Sequence, residues 1–145
     1  MPNDQKKLDD QNTSSKETPA AHRSLPALTL GIDLDGCCDE SPFFRFLTNV
    51  WPGDVIVVTY RRDREKAVTD LENYGIRFDD VVLVDSFDAK AEVIAERGIA
   101  FYIDDQPEMM RNISPRVGVM LFRNEGNFDF NDKKWMLSEK TGKLI

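Results

Sequence analysis

Five short apolar runs, separated by segments with helical periodicity, constrain this chain more than any other feature. The runs are Leu28 to Leu34, Val55 to Val58, Val81 to Val84, Ala100 to Ile103 and Val117 to Phe122. A continuous run such as Val55-Ile56-Val57-Val58 lacks polar alternation and so suits a strand covered on both faces. Between Arg62 and Tyr74, the residues Ala67, Val68, Leu71 and Tyr74 form one helical stripe, and Gly75 follows as its stop. Another helix is expected from Asp88, with Ala91, Val93, Ile94 and Ala95 ahead of Gly98. Pro42 to Val50 is a shorter candidate, with Ser41 as its N-cap. Strand and helix in alternation predict the α/β class, as a doubly wound three-layer α/β/α Rossmann-like domain whose mainly parallel sheet has about five strands.

Residues 1–26 are rich in Asp, Gln, Asn, Ser, Thr and Lys, a composition that cannot offset the entropy of ordering, so a disordered tail is expected there. Residues 27–145 form one domain. At 145 residues and 41% hydrophobic content the chain is long enough to bury a core. No apolar run is long enough to span a bilayer, and the N-terminus lacks the apolar stretch of a secretory signal, so the expected location is cytoplasmic. The formal charge of −7, with 26 acids against 19 bases, argues against binding to duplex nucleic acid. Asn127 to Ile145 holds Phe128, Phe130, Trp135, Met136 and Leu137, too apolar for a free tail; packing on the sheet edge is expected, with a homodimer contact or a lid as alternatives.

The cysteines and the histidine narrow the chemistry. Cys37 and Cys38 are adjacent, which gives neither zinc spacing nor a C-x-x-C pattern, so they are read as small side chains beside an acidic strand end, with tuning of a site as the lesser alternative. The single histidine, His22, lies in the polar lead segment. Catalysis therefore has to run on carboxylates, hydroxyls, lysine and arginine.

The residues that close each apolar run supply such groups. The first run ends in Asp33-Leu34-Asp35-Gly36, the second in Thr59-Tyr60-Arg61-Arg62 and the fourth in Asp104-Asp105, while Lys90 falls at the start of the helix after the third. In a doubly wound sheet these positions meet above the carboxyl edge of the strands, where ligands bind. Alternation places Asp33 and Asp35 on the same side, where desolvated like charges disfavour each other and call for a cation. Asp33, Asp104 and Asp105, with a main-chain carbonyl near Asp35, make an all-oxygen environment that suits Mg²⁺. Thr59 can donate to a phosphoryl oxygen, and Lys90 can balance the charge that develops in transfer.

The four segments resemble the haloacid dehalogenase-like (HAD) hydrolase superfamily, whose motifs are an hhhhDxDG strand end, an hhhh(T/S) strand end, a Lys at a helix start and an hhhhDD strand end. They occur here in that order as Ile32-Asp33-Leu34-Asp35-Gly36, Val57-Val58-Thr59, Lys90 and Phe101-Tyr102-Ile103-Asp104-Asp105, and the resemblance covers Leu28 to about Arg123. It implies a phosphatase acting on a phosphorylated small molecule, with Asp33 as the nucleophile that forms an aspartyl-phosphate and Asp35 as the acid/base. Thr59 and Lys90 would bind the phosphoryl group, and Mg²⁺ would be held by Asp33, Asp35, Asp104 and Asp105, with Asp104 or Asp105 as the inner-sphere member of its pair. Cys37 stands where many members have Thr or Val, a position that serves the turn and its packing.

Between Gly36 and Val55 lie only about 20 residues, and between Asp85 and Lys90 almost none, so the resemblance implies a member without a large cap. Its open site would take a bulky substrate or borrow cover from a neighbouring subunit. Phe43, Phe44, Arg45, Tyr60, Arg61 and Arg62 are the substrate-contact candidates, against the plainer reading of Phe43 and Phe44 in the core and Arg62 at a solvated helix start. Thr59-Tyr60-Arg61-Arg62 is similar to the Thr-Ser-Arg strand end of deoxyribonucleotidase-like members, which points to a nucleotide monophosphate. Two rivals remain. A receiver module places its acidic pair on the first strand and its phosphorylated Asp after the third, an order this chain does not follow. A catalytically inactive metal-binding or protein-interaction domain of the same fold keeps all the groups without turnover.

Overall fold

A computed structural model describes residues 26–40 and 42–124, together with the backbone of Phe128–Asp129 and Lys134–Trp135. The expectations for the N-terminal tail with His22, for the Ser41 cap and for the packing of the C-terminal aromatic residues fall outside these described residues.

The Val- and Ile-rich runs become strands because β-branched side chains fit a pleated surface that is packed on both sides. The elements are β1 (Thr29–Ile32), α1 (Pro42–Val50), β2 (Val55–Thr59), α2 (Arg64–Tyr74), β3 (Asp80–Leu83), α3 (Phe87–Glu96), β4 (Ile99–Asp104), β5 (Gly118–Leu121), β6 (Phe128–Asp129) and β7 (Lys134–Trp135). The first five strands form one parallel sheet in the order β3-β2-β1-β4-β5, and β6 pairs antiparallel with β7. A 3₁₀ turn, Pro107–Met110, lies on the path from β4 to β5. Asp63 caps α2 by accepting from the Lys66 amide at 3.0 Å, and Ser86 caps α3 by accepting from the Ala89 amide at 3.1 Å.

Alternation along the strands divides the core into two clusters. Leu30, Ile32, Val55, Val57 and Ile103 pack with Phe44 of α1 and with Ala67 and Leu71 of α2. Ile56, Val58, Ile99 and Tyr102 pack with Ile94 of α3. Ile99 and Phe101, two residues apart, fall in different clusters because the register slips there: Thr29 pairs with Ile99 but Leu30 with Phe101. This bulge turns Tyr102 and Asp104 toward the side of α3, which carries Lys90. Gly31 makes room for that arrangement, since a Cβ there would stand 2.8 Å from the Tyr102 ring and 2.9 Å from Ile99.

The strand order reverses between β1 and β4, the point where open parallel sheets part to form a crevice beyond their carboxyl ends. No described helix is long and apolar enough to cross a membrane.

Candidate functional site at the carboxyl ends of β1, β2 and β4

Asp33 follows β1 and continues its ladder, its amide donating to the Ile103 carbonyl at 3.0 Å. Asp104 closes β4, with Asp105 next to it, and the three carboxylates are 6%, 0% and 1% exposed. Lys90, at 1% exposure, extends from α3 between two of them, with Nζ 3.0 Å from Asp33 and 2.8 Å from Asp104. Asp104 is fully engaged: the Tyr102 hydroxyl donates to it at 2.8 Å and the Gln106 amide at 2.9 Å. Thr59 is buried at the end of β2, where its hydroxyl accepts weakly from the Arg61 amide at 3.4 Å.

Asp33 and Asp104 thus share one ammonium, with Asp105 buried close to Asp33. Burial pushes the Asp33 carboxyl well above the usual range, with Asp104 and Asp105 adding to the effect and the Lys90 charge opposing it. For Lys90, burial works against the charged form, but Asp104 and Asp33 outweigh it and hold the ammonium above its ordinary pKa.

Asp35 has a different partner. The alternation expected to bring it beside Asp33 stops at Ile32, and the chain turns at Gly36 with φ 88°, a value that glycine adopts without strain. Its carboxylate is gripped by Arg61, whose Nε lies 2.8 Å from Oδ2 and whose Nη2 lies 2.6 Å from Oδ1. Arg61 Nη1 donates to Asp70 on α2. The two acids of the first strand end therefore meet different cations, Lys90 for Asp33 and Arg61 for Asp35. The guanidinium of Arg61, expected at a substrate, is 5% exposed and turned to these acids. Of the other contact candidates, Phe44 is in the core, while Phe43, Arg45 and Arg62 are exposed. Tyr60, Arg61 and Arg62 line a cavity of about 470 Å³ with Asp85, Glu92 and Glu96, beside the ends of β2 and β3.

Among the described residues, one group of side chains brings donor atoms within 4.8 Å of one another in a way that could hold a metal: Asp33, Cys37 and Asp105. Asp35 and Asp104 are outside it. Cys37 was not legible as a donor because its lone sequence signal is adjacency to Gly36; its position comes from the turn. That turn is fixed by the Gly36 amide donating to Asp39 at 2.8 Å and by Asn124, which donates to the Gly36 carbonyl at 2.9 Å and to Asp105 at 3.0 Å. Asn124 was likewise invisible in the sequence, 88 residues from Gly36. Burial, then the nearby Asp33 charge, pushes the Cys37 thiol well up, so it is a neutral S–H. The two carboxylates and the thiol could hold a metal ion.

Comparison of the chain with protein-family models, with curated proteins and with solved structures finds no match.

Proposed function

We propose that this protein is a Mg²⁺-dependent phosphatase of the HAD type without a large cap, hydrolysing a phosphomonoester through an aspartyl-phosphate on Asp33. The observation that carries the reading is the gathering of three buried carboxylates, Asp33, Asp104 and Asp105, beside the buried Lys90 at the switch point of a parallel sheet, with Asp33 and Asp105 placed to share a cation. A divalent cation would offset the negative charge of this cluster. Asp33 and Asp105 would hold it, and when bound it screens the phosphoryl oxygens from an approaching carboxylate.

The chain's own residues divide the remaining work. Asp33 is the nucleophile, and Lys90, already 3.0 Å from it, stabilises charge on the transferring group. Thr59 donates its hydroxyl hydrogen to a phosphoryl oxygen. Asp35 gives a proton to the leaving oxygen and later takes one from water. Asp104, saturated by Lys90, Tyr102 and the Gln106 amide, holds Lys90 in place. A nucleoside monophosphate remains the substrate suggested by Thr59-Tyr60-Arg61-Arg62, and the cavity beside Tyr60 is where its leaving group would lie.

The test is hydrolysis of p-nitrophenyl phosphate and a panel of nucleoside monophosphates, with and without Mg²⁺, by the wild type and by Asp33→Asn. Turnover that needs Mg²⁺ and is lost in Asp33→Asn is expected; equal turnover by both proteins, or indifference to chelator, sinks the proposal. Trapping a beryllium fluoride complex on Asp33 identifies the nucleophile independently. The Asp33, Cys37 and Asp105 group also supports a second reading, a metal-binding domain without turnover. Thermal stabilisation by a divalent cation with no hydrolysis of any ester would select it.

A further inference from the structure

We infer that Arg61 is a positioning residue for Asp35 and that Asp70 on α2 fixes Arg61 in turn, an inference that rests on the phosphatase reading. Asp35 stands three residues beyond the end of β1, at φ −78° and ψ 122° beside the turn at Gly36, so no strand ladder sets its side chain. The buried Arg61 supplies what the ladder does not. Its Nε and Nη2 meet both oxygens of Asp35, and a two-point contact with a planar fork fixes the place and the rotation of the carboxylate together. Arg61 is itself held at both ends, by its amide donating to the Thr59 hydroxyl at 3.4 Å and by Asp70, which also accepts from Lys66 at 3.4 Å. The path from the half-buried Asp70 through Arg61 to Asp35 thus makes a surface helix part of the support of the acid/base.

The proton account is explicit. In the first step the bond from phosphorus to the leaving oxygen breaks as a bond from Asp33 Oδ to phosphorus forms, and the leaving oxygen takes the proton of the Asp35 carboxyl. In the second, the oxygen of water bonds to phosphorus, the Asp33 oxygen departs, and one proton of that water returns to Asp35. Oδ1 of Asp35 accepts from both Nε and Nη2, whereas Oδ2 accepts from Nε alone and keeps a second lone pair for the proton, so Asp35 carries it there without releasing Arg61. An ester whose leaving oxygen needs no proton, p-nitrophenyl phosphate, therefore bypasses Asp35 in the first step but not in the second.

The experiment compares p-nitrophenyl phosphate with an alkyl phosphate, glycerol phosphate, using the full chain with Mg²⁺. In Arg61→Ala, kcat/KM on the alkyl ester falls about 100-fold while that on the aryl ester falls less than about 3-fold. The aryl ester then gives a larger burst of p-nitrophenolate than in the wild type, with phosphate retained on Asp33. Arg61→Lys recovers part of the loss, and Asp70→Asn shifts the two esters in the same sense by about 3- to 10-fold less. Equal losses on both esters with no added burst overturn the inference, since that is what general damage produces. A wild type that hydrolyses neither ester defeats the phosphatase reading instead. Should Arg61→Ala not fold, Asp70→Asn carries the same comparison.

Discussion

Two ion-pair systems lie side by side at the carboxyl edge of the sheet, and they divide their cations differently. In the inner one, Asp33 and Asp104 face Lys90, with Asp105 buried close to Asp33. In the outer one, Arg61 stands between Asp35 and Asp70, with Lys66 reaching Asp70 from the same helix. In the outer system each acid meets a guanidinium or ammonium; in the inner one the carboxylates are more deeply buried, and Lys90, Tyr102 and the Gln106 amide stabilise Asp104. The difference teaches where a cation from solution has a use and where the protein already supplies its own.

The largest expected effect comes from removing the inner cation. Lys90→Met leaves Asp33 and Asp104 buried without a counter-charge, and urea unfolding should show a loss of about 3–5 kcal/mol. A smaller loss would mean that the acids take up protons or ions without it. Adding a cation should act in the other direction: Mg²⁺ at roughly a hundred times its Kd is expected to stabilise the wild type by about 2.7 kcal/mol, and Asp105→Asn should diminish that gain. No shift in thermal midpoint with Mg²⁺ would break the contrast between the two systems.

The scaffold under the inner system offers a third probe. Gly31→Ala brings a methyl group to 2.8 Å from the Tyr102 ring and 2.9 Å from Ile99, and the overpacking should cost about 1–3 kcal/mol. Tyr102→Phe keeps the ring and removes the bond to Asp104, so the two variants separate packing from hydrogen bonding. The smallest effect belongs to the outer system. Its pairing with Arg61 holds the Asp70 carboxyl below its ordinary value of 3.8, so the contribution is present above that pH and fades as pH falls through the folded-state value. Asp70→Asn is therefore expected to lower stability by about 1 kcal/mol at neutral pH and to match the wild type in strong acid. A difference that persists at low pH would show that Asp70 acts through packing and not charge.

Much of this fold was legible along the chain. The five apolar runs expected to be strands match β1 to β5 to within a few residues, and Pro42 to Val50 is helical over the expected span. Those elements depend on periodicity, β-branching and stop residues, which act over a few neighbours and can be read without knowing what lies across the core. The strand-end positions of Asp33, Thr59, Asp104 and Asp105 and the helix position of Lys90 follow from the same local patterns.

The partnerships at the site were a different matter. Asp33 and Asp35 share a motif, yet one pairs with Lys90 and the other with Arg61, 26 residues further on. Asp104 and Asp105 are adjacent, but the first is committed to Lys90, Tyr102 and the Gln106 amide while the second approaches Asp33 and Cys37. The turn at Gly36 and the slipped register in β4 set which way each of these side chains points, and both depend on contacts between segments far apart in the chain. The sequence by itself determined the order of the elements and which acids reach one edge of the sheet. Only the tertiary structure decided which cation each of them meets and which of them gather beside Cys37, because a carboxylate's partner is fixed by where another segment arrives in space.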